Sequence, residues 1–154
     1  LRACNYYNEF EKPKIIYNPD MHFISNNKVI QFAFLGEESK IQRLREMVNR
    51  KFRDNISISR SHSNLLEIVA SGVSKGNALK ELAKITNIPL SEIIAIGDNY
   101  NDIEMIQIAG LGVAMANAPQ EVKEVADFVT KDNNHDGIAC FATRFLAWYN
   151  QRNN

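Results

Sequence analysis

The stretch that most limits the fold is residues 93–105, Ile-Ile-Ala-Ile-Gly-Asp-Asn-Tyr-Asn-Asp-Ile-Glu-Met. Its first four residues are apolar without alternation, which predicts a strand buried on both faces of a parallel sheet. Gly97 ends the run, and Asp98, Asn101 and Asp102 crowd one turn before Ile103, Ile106 and Ala109 resume at helical spacing. This puts acid and amide groups at the carboxyl end of a strand, where open α/β sheets bind ligands. Two readings of the turn stand side by side. Asn and Asp cap helices, form Asx turns and suit the positive end of a helix dipole. Two carboxylates and an amide oxygen also suit a hard cation such as magnesium, which takes oxygen ligands and keeps part of its water.

The pattern around this stretch is regular. Beyond Gly72, helices predicted over 75–86, 102–109, 119–126 and 138–149 alternate with strands over 92–96 and 111–115 and a short one at Phe128-Val129. That alternation predicts a parallel sheet with crossover helices, an α/β fold. Before Gly72 the pattern differs. Residues 1–13 form a lead-in, 14–17 a short strand closed by Asn18-Pro19-Asp20, and 28–35 a strand rich in β-formers. Ile41, Leu44, Met47, Val48 and Phe52 give 37–52 a helical period, and strands follow over 55–60 and 65–70. Strands with alternating patterning around one helix predict an α+β layer with one open face. Ser71-Gly72-Val73-Ser74 supplies the connection, so the units are 1–71 and 72–154.

Composition removes several function classes. Lysine plus arginine equals aspartate plus glutamate at 18 each, so no net field draws nucleic acid or an acidic membrane. Cys4 and Cys140 are too few for a disulfide scaffold and have no metal-ligand spacing, which fits a reducing cytoplasm. No apolar run approaches the roughly 20 residues of a membrane span, and no signal peptide is visible. The first residue is leucine, which fits a processed, trimmed or truncated chain.

Other residues carry chemistry or its imitation. Lys75 follows Ser74, a suitable N-cap, and opposes the dipole of the helix it begins. An anionic ligand there offsets that cost, since the same helix end offers free N–H groups; a solvent-facing lysine is the alternative. The basic residues of 40–53 could meet a phosphate, but Glu46 and Asp54 interrupt them and a solvated face is the expectation. Residues 132–137, Asp-Asn-Asn-His-Asp-Gly, imitate half a calcium loop. The bidentate glutamate then falls on Thr143, so a turn into the last helix is expected instead. Gly110-Leu111-Gly112 enters a strand, the wrong context for a dinucleotide fingerprint. His22, His62 and His135 lack partners at metal or triad spacing. Pro119 suits a first helical turn, and Asn117 before it is either a cap or a residue lining the same sheet edge as Asp98.

Taken together, residues 72–76 (Gly-Val-Ser-Lys-Gly), 97–102 (Gly-Asp-Asn-Tyr-Asn-Asp), 113–118 (Val-Ala-Met-Ala-Asn-Ala) and 136–139 (Asp-Gly-Ile-Ala) resemble the carboxyl-terminal half of a haloacid dehalogenase (HAD) superfamily phosphatase. The nearest group is the Cof-like one, with a large α/β cap, and residues 14–70 resemble the later part of such a cap. The resemblance implies a HAD-like Rossmannoid parallel sheet with an α+β cap portion. It implies that Lys75 holds the phosphoryl group and the nucleophile's carboxylate and that Asp98 is a direct magnesium ligand. Asp102 would support the metal through water or orient its neighbours, and Asn101 would touch the substrate phosphate. The implied reaction is hydrolysis of a small phosphorylated metabolite, a sugar phosphate or phosphorylated cofactor, through an aspartyl-phosphate.

The chain departs from the family's pattern in containing no Asp-x-Asp pair, the source of its nucleophile and acid/base. The expectation is a chain that begins inside the cap, lacks the first half of the core and is catalytically incomplete alone. In the family's sheet the strand bearing Asp98 lies beside the strand bearing the nucleophile. Strand 92–96 is therefore expected to show an unpaired apolar edge, to be covered by a complementing amino-terminal segment, another chain or a swapped copy. Three functions follow: part of a magnesium-dependent phosphatase, a non-catalytic magnesium- and phosphate-binding or interaction module, or an α/β unit whose polar clusters are only caps.

Overall fold

The computed structural model describes residues 29–62 and 64–153. The lead-in over 1–13, the strand at 14–17, its closing turn, Cys4, His22 and the side chain of His62 lie outside the described residues.

The first sheet joins β1 (Gln31–Leu35), β2 (Ile56–His62) and β3 (Leu65–Ala70) in the order β1-β3-β2, all antiparallel. Helix α1 (Glu38–Phe52) covers one face. Its stripe of Ile41, Leu44 and Val48 packs on Leu66, Ile68, Ile56 and Ile58. Complete burial of Leu66 contributes on the order of 2 kcal/mol. Because side chains alternate along a strand, the run Ile-Ser-Ile-Ser sends Ser57 and Ser59 to the other face, beside Val69 and Glu67 in register. Gln31 shares that face and donates Nε2 to Glu67 Oε1 at 2.6 Å. One open face was the expectation, and this is its polar content.

The second sheet is parallel, in the order β4-β5-β6, formed by β4 (Ile94–Gly97), β5 (Leu111–Ala114) and β6 (Phe128–Val129). Helices α2 (Lys75–Thr86), α3 (Ile103–Ile108), α4 (Gln120–Glu124) and α5 (Gly137–Asn153) alternate with these strands, giving the expected α/β architecture. The core gathers Ile106, Ala114, Ala118 and Val122, with Tyr100 and Ile103 packed against it. Strand β5 is its centre, with Val113 and Ala114 fully buried.

Several boundaries move for local reasons. Leu90–Glu92 forms a single 3-10 turn, so β4 begins at Ile94. Tyr100–Asp102 forms another, so α3 begins at Ile103. Pro119 is the N-cap of α4 rather than its first helical residue, in extended backbone. The expectation of burial on both faces for 93–96 holds only for Ala95, while Ile94 and Ile96 are half-buried. Among the described residues β4 has a strand neighbour, β5, on one side alone, so its other edge is unpaired by them.

The two sheets meet at the site. Gly72 turns the connection at φ +81°, a left-handed conformation that side chains resist. Strand β2 then lies against the Tyr100–Asp102 turn, setting the open face of the first sheet over the carboxyl end of the second.

Candidate functional site

The site is assembled beneath the exit of β4. A Cβ on Gly97 would lie 2.4 Å from Cβ of Asp102, so only glycine lets Asp102 fold back under the turn. Asp102 is buried, with 2% of its surface exposed. Its Oδ2 accepts hydrogen bonds from the backbone N–H of Asp98 and of Asn99, both at 2.9 Å. Asn99 caps the turn in return, its Oδ1 accepting from the Tyr100 N–H at 2.8 Å. The capping reading of this stretch therefore describes Asn99 and Asp102.

Asp102 has a second task. Its Oδ1 receives the ammonium of Lys75 at 2.5 Å across 27 residues of chain. Lys75 is the first residue of α2, whose N-cap Ser74 accepts from the Asn77 N–H at 3.0 Å. A lysine in that place opposes the helix dipole, and the anion that offsets it within the protein is Asp102. The ammonium stays reachable, since the Lys75 side chain is 51% exposed.

Asp98 differs from Asp102 in every respect that matters to a ligand. It is exposed, and its Oδ2 accepts from Asn117 Nδ2 at 3.2 Å. Asn117 Oδ1 in turn accepts from the Asn133 N–H at 3.2 Å, tying Asp98 to the loop before α5. Asn117 thus stands at the same edge as Asp98 and bonds its carboxylate. Lys75, Asp98, Asn101 and Asp102 come to one rim at the carboxyl end of the parallel sheet, with Lys75 and Asp98 linked through Asp102. Asn101 Oδ1 is buried and finds no donor among the described residues.

The donors at this rim decide whether magnesium fits it. Both oxygens of Asp102 are engaged by protein donors, which leaves it to orient the turn rather than to reach an ion directly. Asp98 offers an oxygen that takes no hydrogen bond among the described residues, steadied by its partner oxygen's bond to Asn117. No group of three His, Cys, Asp or Glu side chains converges among the described residues. One carboxylate fits an ion that keeps most of its waters and takes further oxygens from a bound phosphate. In that limited sense the residues fit.

A neighbouring network was not legible in the sequence. Glu104 on α3 accepts from Ser74 Oγ at 2.5 Å and from Lys80 Nζ at 3.0 Å. The Ser74 hydroxyl first, and then the Lys80 ammonium, hold the Glu104 carboxyl below its ordinary range. Gly76 admits this contact, because a Cβ there would meet Glu104 Cγ at 2.3 Å. The sole hint is an acid in the first turn of a helix whose inner face is apolar. Away from the rim, His135 Nδ1 lies 2.6 Å from Asp132 Oδ1, and Asp132 caps the Asn133–His135 turn that leads into α5, as expected in place of a calcium loop. Cys140 is a free thiol. Among the described residues no helix is long and apolar enough to cross a membrane.

Comparison with known proteins agrees with this geometry. The sequence profile of the haloacid dehalogenase-like hydrolases matches residues 3–141. The chain is 43% identical over 109 residues to a Haemophilus influenzae protein named as an unproven phosphatase, a stretch that is 71% of this chain and 41% of that one. It is 36% identical over 120 residues to the 5-amino-6-(5-phospho-D-ribitylamino)uracil phosphatase YwtE of Bacillus subtilis, covering 78% of this chain and 41% of that one. Among solved structures, a sugar phosphatase of HAD subclass IIB, BT4131, superposes with a TM-score of 0.79 at 27% identity, over 94% of this chain and 54% of the other. The chain thus spans about half the length, or less, of the proteins it matches.

Proposed function

This chain belongs to the haloacid dehalogenase-like hydrolase family, and we propose that it forms the phosphate- and metal-binding rim of a phosphomonoesterase acting on a small phosphorylated metabolite in a reducing cytoplasm. The observation that carries the reading is the linked set Lys75–Asp102–Asp98, a reachable ammonium and a reachable carboxylate held on opposite sides of one buried acid.

Each residue has a physical task in this reading. Lys75 attracts the phosphoryl oxygens and neutralises charge as it moves onto them. Asp102 keeps that ammonium at the rim and fixes the backbone of Asp98 and Asn99. Asp98 would hold magnesium, with Asn117 setting the direction of its carboxylate. When bound, the ion supplies positive charge against the phosphoryl oxygens. Asn101 meets the phosphate through its side-chain amide. The attack itself needs a carboxylate nucleophile, and no Asp-x-Asp pair is present in these 154 residues. Binding and orientation are therefore this chain's share of the reaction. The one-sided pairing of β4 supports a further proposal, that a complementing segment or second copy completes the sheet there.

The same lack favours a second reading, a module that binds magnesium and phosphate without turnover. Two assays separate the readings. Hydrolysis of an aryl phosphate with magnesium is expected to be negligible for the chain alone, and robust activity abolished by Asp98→Asn would overturn that assignment of roles. Calorimetric titration with magnesium and inorganic phosphate is expected to show binding of both. Lys75→Ala should weaken the phosphate and Asp98→Asn the metal; absence of any binding would leave the polar cluster with capping alone.

A further inference from the structure

We propose that Glu104 is a positioning residue for Lys75: through the Ser74 hydroxyl it fixes the start of α2, so that the ammonium stands where a phosphate can meet it. This rests on the reading of Lys75 as the phosphate-binding cation, and it adds a residue that does not itself touch the phosphate. Ser74 Oγ donates to Glu104 Oε2 at 2.5 Å and accepts from the Asn77 N–H at 3.0 Å. A hydroxyl has a single proton, and where that proton goes decides where its lone pairs point. Glu104 takes the proton across 30 residues of chain, which leaves the oxygen free to cap the helix. The next residue, Lys75, begins α2.

The surroundings are built for this contact. A Cβ at Gly76 would meet Glu104 Cγ at 2.3 Å, so the first turn of α2 is shaped around the carboxylate. Lys80 Nζ lies 3.0 Å from Glu104 Oε1 and 3.1 Å from Asn77 Oδ1, and Asn77 Nδ2 donates to the Gly72 carbonyl at 2.8 Å. Glu104 thus holds α2 at its cap and in its second turn, through a network that reaches back to the left-handed Gly72. Two residues earlier, Asp102 receives the Lys75 ammonium. One short stretch therefore grips Lys75 at both ends, the backbone through Ser74 and the side chain directly, and it also fixes the backbone of Asp98. Charge alone does not account for Glu104 in this place. It lines the same cavity of about 560 Å³ as Lys75, and a carboxylate there opposes an incoming phosphate. Losing a mere charge would tighten phosphate binding; losing the bond to Ser74 weakens it.

The test is calorimetric titration of the full chain with inorganic phosphate at saturating magnesium, and with magnesium alone. Glu104→Gln and Glu104→Ala remove the same charge, and only the first keeps an oxygen for the Ser74 hydroxyl. Glu104→Gln is expected to bind phosphate within about twofold of the unaltered chain, and Glu104→Ala about fivefold more weakly than Glu104→Gln, the effect of one cap bond. Ser74→Ala should reproduce the loss, and combining it with Glu104→Ala should add less than about twofold to either. Magnesium alone should bind Glu104→Gln and Glu104→Ala with constants within about twofold of each other. If Glu104→Ala does not fold, Ser74→Ala against Ser74→Thr, which keeps the hydroxyl, gives the same comparison. Equal phosphate binding by Glu104→Gln and Glu104→Ala, or tighter binding by Glu104→Ala than by the unaltered chain, overturns this proposal alone. So does a loss in Glu104→Ala that magnesium shares equally, since that reports a loosened fold. Phosphate binding that is absent from the unaltered chain, or that Lys75→Ala leaves untouched, overturns the reading of Lys75 and this proposal with it.

Discussion

Replacing Asp102 with alanine removes the acceptor of three donors at once, and its cost can be worked from the geometry. The backbone N–H groups of Asp98 and Asn99 each lose a 2.9 Å bond to Oδ2. Leaving a buried donor unpaired costs about 1–3 kcal/mol, toward the lower end where water can enter. Asp98 sits at an exposed rim, so the pair together accounts for about 2–3 kcal/mol. The lost ion pair adds less than about 1 kcal/mol, because the half-exposed Lys75 ammonium returns to water. Asp102→Ala is therefore expected to cost about 3 kcal/mol. Asp102→Asn keeps an oxygen for both N–H groups but turns its NH2 donor toward the Lys75 ammonium, which is half-exposed and can turn to water, and is expected to cost about 1 kcal/mol. Urea unfolding checks this: the midpoint should fall in the order unaltered chain, asparagine, alanine, with the slope unchanged. An asparagine variant as unstable as the alanine one would show that the ion pair, not the turn's hydrogen bonds, holds the rim, and would refute the partition.

Three further outcomes are expected. Glu104 has its carboxyl depressed below 4.5 by Ser74 and then Lys80, so its contribution is complete above that unfolded value and is lost as the pH falls through the folded one. Stability measured stepwise downward from about pH 5 should therefore fall more steeply for the unaltered chain than for Glu104→Gln; parallel profiles would deny the network a role in stability. Gly97→Ala places a Cβ 2.4 Å from that of Asp102 and should cost at least about 2 kcal/mol by urea unfolding, since it displaces the acid from both N–H groups. Lys75, Asp98 and Asp102 leave the rim with a net single negative charge, which opposes a phosphate dianion until a cation arrives. Saturating magnesium should raise phosphate affinity about tenfold, with phosphate raising magnesium affinity by the same factor, as linkage requires. Independent binding in paired titrations would contradict that electrostatic account.

The sequence discloses what is local and hides what register and topology create. Helix α2 is legible to its ends because both signals are short-range: Ser74 caps the start, and Asn87 stops it in left-handed backbone at φ 55°. The parallel sheet is equally legible from the alternation of apolar runs with helical periods. The start of α3 is less so, since Asn99 and Asp102 build a capping box that spends one turn as 3-10 structure before the helix begins. The apolar run of β4 overstates its burial. An unbroken apolar run reports what the strand can tolerate on each face, and here Ile94 and Ile96 are only half-covered by the described residues. The least legible contacts are those between distant residues. Ser74 meets Glu104 across 30 positions and Gln31 meets Glu67 across 36. Neither spacing carries a signal, because each is set by how the elements pack.

On the proposed reading, capping and cation binding divide the labour within one turn. A carboxylate oxygen that accepts two backbone N–H groups has both lone pairs engaged, so one acid cannot serve both tasks well. Asp102 takes the capping task with one oxygen and the lysine with the other. Asn99 satisfies the next donor along. These two residues relieve Asp98 of duty to the backbone, and its partner among the described residues, Asn117, is a neutral amide on the neighbouring strand's exit loop. The acid that looks most exposed and least employed is thus available because its neighbours have absorbed the cost of ending a strand and beginning a helix in so few residues. A turn with a single acid could cap or coordinate; on the proposed reading, the second acid is what would let this one do both.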